Sequence, residues 1–220
     1  MRTFVIGDIH GAYKALLQCL ELSKFNKNND RLICLGDVCD RGSHVKECID
    51  ELLTIPKCVY ILGNHDEWAL EWAIHGNLLK EWMEDGGSET LMSYKGIGMP
   101  KAHTSFLAKA PLYFVDKNRL FVHGGYDSER SVKETPNQTF LWDRSLLKEA
   151  ERLERTCQDW KFGGFDEIFV GHTSTLNYGK HEPLKFCNVW AMDTGAGWGG
   201  CLTIMDVDTK KFWQAEVVQW

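Results

Sequence analysis

The chain has 220 residues, which fits one domain, and its composition is 44% hydrophobic, 25% charged and 12% aromatic. These values are ordinary for a globular protein, and no repeat, low-complexity tract or run of like charge indicates disorder. The formal net charge of -6 disfavours non-specific binding to nucleic acid or to an anionic membrane. An anionic substrate would therefore need a locally positive pocket, such as bound metal ions provide.

The N-terminal residues MRTFVIGDIHG reach a glycine and an aspartate too early to contain the apolar core of a signal peptide. No stretch approaches the roughly 18 apolar residues of a membrane span, so we expect a cytosolic protein. The eight cysteines include no CxxC pair, and most lie in helix or strand patterns where cysteine behaves as a small buried residue. Cys39 lies between two candidate site residues, and we expect it to pack in the core.

The first predicted strand, residues 3–6, leads directly into the loop GDIHG. In an extended segment Asp8 and His10 would point to the same side, because side chains alternate with a period of two. A carboxylate oxygen and an imidazole nitrogen suit a first-row transition metal, although an isolated Asp-x-His also occurs often at the ends of surface strands. The apolar positions of residues 13–22 then fall on one helical face, which predicts a helix after the loop.

The second predicted strand, residues 31–35, leads into the sequence LGDVCDRG. Asp37 follows the apolar run and should project from the carboxyl end of the strand, where open α/β sheets bind their ligands. Asp40 and Arg41 follow on a turn closed by a glycine, so a second carboxylate and a planar cation lie beside the first. Taken alone, the octapeptide fits equally well a charged turn with an internal aspartate-arginine pair.

Residues 45–53 have helical periodicity, and the third predicted strand, residues 57–62, ends in GNHD, which contains Asn64 and His65. Three consecutive strand-to-helix junctions therefore deliver Asp, His or Asn. The carboxyl ends of parallel strands meet at one edge of a sheet, so we expect these side chains to lie together. The repetition indicates a common site far more strongly than any single junction does.

Residues 67–110 are expected to be mostly helical, to lack paired chemical groups, and to form a helical flank or lid over the sheet edge. A hairpin formed by residues 112–115 and 120–122 follows, and its second strand delivers His123.

Leu141-Trp142-Asp143-Arg144 is expected to open a charged helix that runs to about Arg155. Another buried strand, residues 167–170, delivers His172 directly after a glycine. Helices alternate with strands early in the chain, and strands dominate late. The sequence therefore predicts an α/β fold with two sheets packed together and helices outside.

Five motifs occur in the order GDIHG, GDVCDRG, GNHD, FVHGG and VGHT, with LWDR between the last two. In this order they resemble the calcineurin-like metallophosphoesterases, and within them the phosphoprotein phosphatase family in its compact bacterial form. The resemblance covers nearly the whole chain and implies an α/β/β/α sandwich of two mixed sheets flanked by helices, in a single domain. It also implies a hydrolase with two divalent metal ions. Manganese is the preferred metal, with iron or zinc as alternatives.

The resemblance implies a role for each motif residue. Those that resemble metal ligands are Asp8 and His10 for the first ion, Asn64, His123 and His172 for the second, and Asp37 as the bridge between both. Those that resemble catalytic groups are His65 as proton donor, Asp40 as its orienting partner, and Arg41 and Arg144 as phosphate-binding residues. Two ions about 3.5 to 4 Å apart would lower the pKa of a shared water and supply hydroxide at neutral pH.

Two positions point to different substrates. Asp66 stands where phosphoprotein phosphatases more often carry glutamate, and GNHD resembles the symmetrical dinucleoside tetraphosphate hydrolases instead. Asp40 points the other way, because those hydrolases tend to lack the acid before the arginine. We expect a serine/threonine protein phosphatase that acts on a phosphorylated protein or a small phosphoester, with the tetraphosphatase as the alternative. A non-catalytic metal-binding module is disfavoured because no ligand position is missing, and a nuclease because no basic stripe is present.

Overall fold

A computed structural model describes residues 1–156 and 160–218 of the chain. The strands in this part of the chain form two mixed sheets of five strands each. They are β1 (Thr3–Ile6), β2 (Arg31–Cys34), β3 (Cys58–Tyr60), β4 (Tyr113–Asp116), β5 (Arg119–Val122), β6 (Glu167–Val170), β7 (Leu184–Phe186), β8 (Val189–Ala191), β9 (Thr203–Asp206) and β10 (Phe212–Gln214).

The first sheet has the strand order β10-β9-β1-β2-β3. Its three strands β1, β2 and β3 are parallel, with Ile6 opposite Cys34 and Cys34 opposite Tyr60, so their carboxyl ends lie level. β9 and β10 extend the sheet on the other side of β1 in antiparallel pairing. The loops after the three parallel strands therefore leave the sheet at one edge.

The second sheet has the order β4-β5-β6-β8-β7. β5, β6 and β8 are parallel neighbours, with Val122 opposite Val170 and Val170 opposite Ala191, whereas β4 and β7 are antiparallel edge strands. The strand β7 was not predicted. It has three residues, none fully buried, and Lys185 at its centre is exposed, so it lacks the apolar run that marks the other strands.

The helices lie between the strands in sequence and cover the sheets from outside. They are α1 (Tyr13–Leu22), α2 (Val45–Leu53), α3 (Asn64–His75), α4 (Lys80–Trp82), α5 (Ser88–Ser93), α6 (Lys101–Ala108), α7 (Asn137–Trp142) and α8 (Ser145–Arg155). A π-helical turn, Met83–Gly87, joins α4 to α5. The stretch expected to form a helical flank therefore contains most of α3 and all of α4, α5 and α6.

Three apolar layers hold these elements together. Side chains of the first sheet pack with α1 and α2 on one outer face, and those of the second sheet pack with α7 and α8 on the other. The inner faces of the two sheets share a third layer, in which the rings of Phe121 and Phe169 stack at 4.9 Å. The predicted α/β/β/α sandwich is confirmed.

Some expectations differ from the structure. LWDR does not open one helix: Trp142 ends α7, Asp143 has extended backbone, and α8 begins after Arg144. Four of the seven cysteines among the described residues are buried, as expected, and Cys157 lies outside the described residues. In the described part of the chain, no helix has both the length and the apolar character needed to cross a membrane.

Candidate active site

The loops after the parallel strands of both sheets bring the predicted site residues to one region. Eight of them are buried: Asp8, His10, Asp37, Asp40, Asn64, His65, His123 and His172. Arg41 is half-buried and Arg144 is exposed, and both contact the same group of loops. The region therefore has a buried interior of carboxylates and imidazoles and a cationic rim.

Asp37 lies at the centre of two groups of side chains that could hold a metal ion. The groups are His10, Asp37 and His65, and Asp37, His123 and His172, with the ligand atoms of each group within 4.8 Å of one another. The Asp37 Oδ2 atom lies 3.8 Å from Nε2 of His10 and 3.3 Å from Nε2 of His123. A carboxylate common to both groups is what a bridging ligand requires.

Backbone carbonyl groups orient two of these histidines. His10 Nδ1 lies 2.8 Å from the carbonyl oxygen of Cys39, and His123 Nδ1 lies 2.7 Å from that of Leu35. A carbonyl oxygen only accepts hydrogen bonds, so Nδ1 of each ring carries a proton. Nε2 is therefore the atom of each ring that could ligate a metal ion beside Asp37. His172 Nε2 is buried and has no hydrogen-bond partner among the described residues.

Asp8 and Asn64 lie beside these histidines. Asp8 Oδ2 accepts a hydrogen bond of 2.9 Å from the backbone N–H of His172, whereas its Oδ1 is buried and has no partner in the described part of the chain. Asn64 Oδ1 lies 2.9 Å from His123 Nε2. Gly171 permits the approach of Asp8 to His172, because a Cβ at Gly171 would come within 2.2 Å of Asp8 Oδ1.

The backbone of the site is not extended where the sequence predicted it to be. His10 has a φ of 47°, in the left-handed region, so its ring reaches Asp37 and His65 while Asp8 turns to His172. Positive φ is shared by half of the ten predicted site residues: His10, Asp37, Asp40, Arg41 and His172. Such conformations cost non-glycine residues roughly 1 kcal/mol or more each, and they tend to cluster at functional sites.

Burial and the charges of neighbouring side chains determine which groups of the cluster are charged. Burial and a neighbouring histidine lower the pKa of His10 to about 3 and that of His172 to about 2, so both rings are neutral at pH 7. Burial lowers the pKa of His123, but Asp37 outweighs this effect and raises it to about 10. Burial, together with the charge of Asp193, raises the pKa of Asp8 well above its usual value.

Asp193 is a site residue that the sequence analysis missed. It is buried, accepts a hydrogen bond of 2.8 Å from the backbone N–H of Gly195, and has a pKa raised to about 6 by burial and by Asp37. It follows the parallel strand β8 just as Asp8 follows β1, so the position after the strand was a usable signal.

The donor set fits divalent metal ions. Two buried ligand atoms, Asp8 Oδ1 and His172 Nε2, have no protein partner among the described residues, and buried polar atoms are normally satisfied. Closely spaced buried carboxylates also need a compensating positive charge. Oxygen and nitrogen donors together suit manganese, iron or zinc, and they do not select among these metals.

Asp40 and His65 are in contact as a buried carboxylate-imidazole pair beside this cluster. His65 Nδ1 lies 2.7 Å from Asp40 Oδ2, and the Asp40 carboxylate also accepts bonds from Trp82 Nε1 at 2.8 Å and Thr90 Oγ1 at 2.6 Å. Trp82 and Thr90 belong to the helical flank that was expected to lack chemical groups. Their role depends on contacts more than forty residues apart in sequence, which no local pattern reveals.

Asp66 is engaged wholly within the protein. Its Oδ2 accepts hydrogen bonds from the backbone N–H groups of Asp37 and Gly63 and from the hydroxyl of Tyr60, at 2.6–3.0 Å. Its Oδ1 accepts from the N–H groups of Val38 and Cys39, at 3.1 and 3.2 Å. The carboxylate therefore holds the loop after β2 against the start of α3.

The two arginines are held by different groups. Arg41 donates to Asp85 Oδ1 at 2.5 Å, and its guanidinium lies over the ring of Trp198, 3.5 Å from the centroid. Arg144 donates to the carbonyl oxygen of His172 at 2.8 Å and to Thr173 Oγ1 at 3.0 Å. Both guanidinium groups are thus fixed before any substrate binds.

Comparison with known proteins gives a consistent result. The profile of the family described as calcineurin-like phosphoesterase matches residues 1–194. The serine/threonine-protein phosphatase 1 of Salmonella typhimurium is 27% identical, over 91% of this chain and 89% of that protein. A symmetrical bis(5'-nucleosyl)-tetraphosphatase of Coxiella burnetii strain CbuK_Q154 is 31% identical, over 95% of this chain and 89% of that protein.

Solved structures support the fold. A protein serine/threonine phosphatase from Saccharomyces cerevisiae, described as similar to human phosphatase PP5, superposes with a TM-score of 0.62 at 16% identity. The match covers 100% of this chain and 80% of that chain. At this identity the likeness concerns the fold alone.

We expect Asp66→Asn to lower the free energy of unfolding by about 2–4 kcal/mol, because the amide has one accepting oxygen and turns its NH₂ group toward buried donors. Urea denaturation of the metal-free protein measures this. Asp166→Asn is the matched control, since it changes an exposed ion pair with Lys161 and should cost less than about 0.5 kcal/mol. A cost below about 1 kcal/mol for Asp66→Asn would contradict the anchoring role.

Proposed function

The chain belongs to the calcineurin-like phosphoesterases and is a phosphoester hydrolase, and on that premise we propose that it is a metal-dependent serine/threonine protein phosphatase. The observation that carries this proposal is the buried pair of Asp40 and His65, with His65 Nδ1 2.7 Å from Asp40 Oδ2. Such a pair is needed most when the leaving group is an alkoxide of high pKa. The alternative is symmetrical hydrolysis of dinucleoside tetraphosphates.

We assign the buried cluster to two divalent ions. The proposed ligands are Asp8 and His10 for the first ion, Asn64, His123 and His172 for the second, and Asp37 for both. Four of these six, His10, Asp37, His123 and His172, belong to the two groups of side chains described above, whereas Asp8 and Asn64 are assigned from the motifs and their burial beside these groups. When bound, the ions would supply a nucleophile at neutral pH and offset the charge of the phosphoryl group. Manganese is our preferred metal, with iron and zinc as alternatives. The cytosolic location and the single-domain organisation stay predictions from the sequence.

His65 is the proposed proton donor. Burial lowers its pKa, but the charges of Asp37 and Asp40 outweigh burial and hold the pKa above the ordinary value. Because Asp40 occupies Nδ1, the proton on Nε2 is the one available to the leaving oxygen. Trp82 and Thr90 fix the carboxylate of Asp40, which in turn fixes the ring of His65.

Arg41 and Arg144 are the proposed phosphate-binding residues. Planar guanidinium groups can donate two parallel hydrogen bonds to phosphate oxygens, which a lysine cannot. The ring of Trp198 holds the plane of Arg41, and backbone and hydroxyl oxygens hold Arg144. Their separate supports suit two groups that hold one anion from two sides.

The contacts of Asp66 bear on the choice between the two substrates. Its identity resembles the tetraphosphatases, but both of its oxygens are occupied by protein donors and the residue is fully buried. Its side chain therefore has no route to a substrate, and its identity says little about which substrate is used. Asp40 does act on the proton donor, so we give Asp40 the greater weight.

Removing the metals should abolish hydrolysis, and manganese should restore it, because no side chain is proposed as the nucleophile. Asp37→Asn should lose more metal per chain than Asp8→Asn, since only Asp37 takes part in both ligand groups. Metal content by atomic emission and turnover of a phosphopeptide test these points. Full activity at near-zero metal content would exclude the proposal, and equal metal loss in the two variants would exclude the bridge.

His65→Asn should retain both metals and lose about 10²- to 10⁴-fold in kcat, the usual contribution of a positioned acid. The loss should be smaller with nitrophenyl phosphate, whose leaving group needs little protonation. Steady-state kinetics with both substrates and metal analysis measure the effect. Loss of metal from the variant would instead make His65 a ligand, consistent with its position in one candidate ligand group.

A phosphoserine peptide should be hydrolysed with a higher kcat/KM than diadenosine tetraphosphate, because only the peptide releases an alkoxide that requires a proton. Asp40→Ala should narrow this difference, because it should slow hydrolysis of the peptide more than hydrolysis of the dinucleotide. The wild-type enzyme and Asp40→Ala are to be compared at equal metal content. A wild-type preference of about tenfold or more for the dinucleotide would establish the alternative.

A further inference from the structure

Asp85 joins the proposed phosphate-binding arginine to the proposed proton donor. One carboxylate oxygen, Oδ1, accepts from Arg41 Nη2 at 2.5 Å, and the other, Oδ2, lies 3.7 Å from His65 Nε2. His65 Nε2 is the atom that would protonate the leaving oxygen. A fixed negative charge therefore stands on the side of the site where the leaving group departs.

The backbone holds Asp85 in this position. It lies in the π-helical turn, where the backbone N–H of Arg41 donates to the carbonyl oxygen of Gly86 at 3.1 Å. Gly86 has a φ of 100°, and a Cβ there would come within 2.8 Å of the Arg41 side chain. The adjoining Gly87 packs against the indole of Trp82, which itself binds Asp40. The turn is thus fixed to Arg41, which its carboxylate contacts, and through Trp82 to Asp40, the partner of His65.

We propose that Asp85 determines substrate specificity by disfavouring leaving groups that are themselves anions. The inference rests on the proposed function, since it uses the roles given there to Arg41 and His65. A serine or threonine leaving group departs as a neutral alcohol once His65 has protonated it. A dinucleoside polyphosphate releases a nucleoside phosphate that keeps its negative charge, and this charge would develop beside Asp85.

The ion pair with Arg41 does not cancel this effect. Only one nitrogen of Arg41, Nη2, contacts Asp85, and the second carboxylate oxygen faces His65. The side chain of Asp85 is 42% exposed, so repulsion there is weaker than in the interior but is not fully screened over a few ångströms. The penalty would fall on anionic leaving groups and spare neutral ones.

The test compares Asp85→Asn with the wild-type enzyme, both fully loaded with manganese. The measured quantity is kcat/KM for diadenosine tetraphosphate divided by kcat/KM for a phosphoserine peptide with uncharged flanking residues. We expect Asp85→Asn to raise this ratio by about tenfold. This change is larger than the effect expected for a pair of exposed charges and smaller than that expected for a buried pair. Calorimetry gives a second readout without turnover: pyrophosphate binding should tighten more than orthophosphate binding.

Glu84→Gln is the matched control. It removes the same charge from the adjacent position, where the side chain is 65% exposed and pairs with Lys80 at 3.3 Å. The ratio should stay within about twofold of the wild-type value in this variant. Asp85→Ser, which also removes the charge, replaces Asp85→Asn if the latter fails to fold.

An unchanged ratio in the Asp85 variants would overturn the inference, as would an equal shift in Glu84→Gln. An equal loss on both substrates with metals retained would also overturn it, because Asp85 would then only position Arg41. The result is independent of which substrate the wild-type enzyme prefers. Failure of the proposed function changes that preference, whereas failure of this inference leaves the ratio unaffected by Asp85.

Discussion

The arrangement of the candidate site depends on the buried carboxylate of Asp66, which takes no direct part in the proposed chemistry. Three consecutive backbone N–H groups, from Asp37 to Cys39, point at it, and it also binds the N–H of Gly63 and the hydroxyl of Tyr60. In return, Asp37 Oδ1 accepts from the backbone N–H of His65 at 3.0 Å. Two neighbouring strand-to-helix junctions are thereby locked together, and each fixes the side chains that the other presents.

A second coupling runs from the helical flank into the site. Trp82, Asp85 and Thr90 come from one short stretch around the π-helical turn, and they contact Asp40, Arg41 and His65. The flank therefore does more than cover the sheet edge. A change that repacks this stretch would act on the proposed proton donor and on the proposed phosphate-binding Arg41 together, even where it touches no residue of the motifs.

The sequence predicted the parts of the molecule that local patterns encode. The apolar runs of β1, β2, β5 and β6 are continuous, and each is followed by glycine and a polar residue, so the strands and their loops could be located. The short edge strand β7 and the break between α7 and α8 could not, because neither has an apolar period of its own. Asp193 followed the same pattern as Asp8 and was available to the same reasoning. Trp82, Thr90 and Asp85 could not be found in this way, since only contacts across the fold bring them to the site.

The left-handed backbone at His10, Asp37, Asp40, Arg41 and His172 has a consequence for how this chain can change over generations. At each of these positions glycine would relieve the conformational strain of the backbone, but at Asp37 and Asp40 it would also leave buried donors without their acceptor. At His172, whose Nε2 has no hydrogen-bond partner among the described residues, nothing offsets the relief of strain in this way. Selection for stability would therefore oppose selection for the proposed metal-ligand role at that position. A descendant that no longer needed a metal ligand at this position would be expected to acquire glycine or asparagine there early, and to melt at a higher temperature than its ancestor.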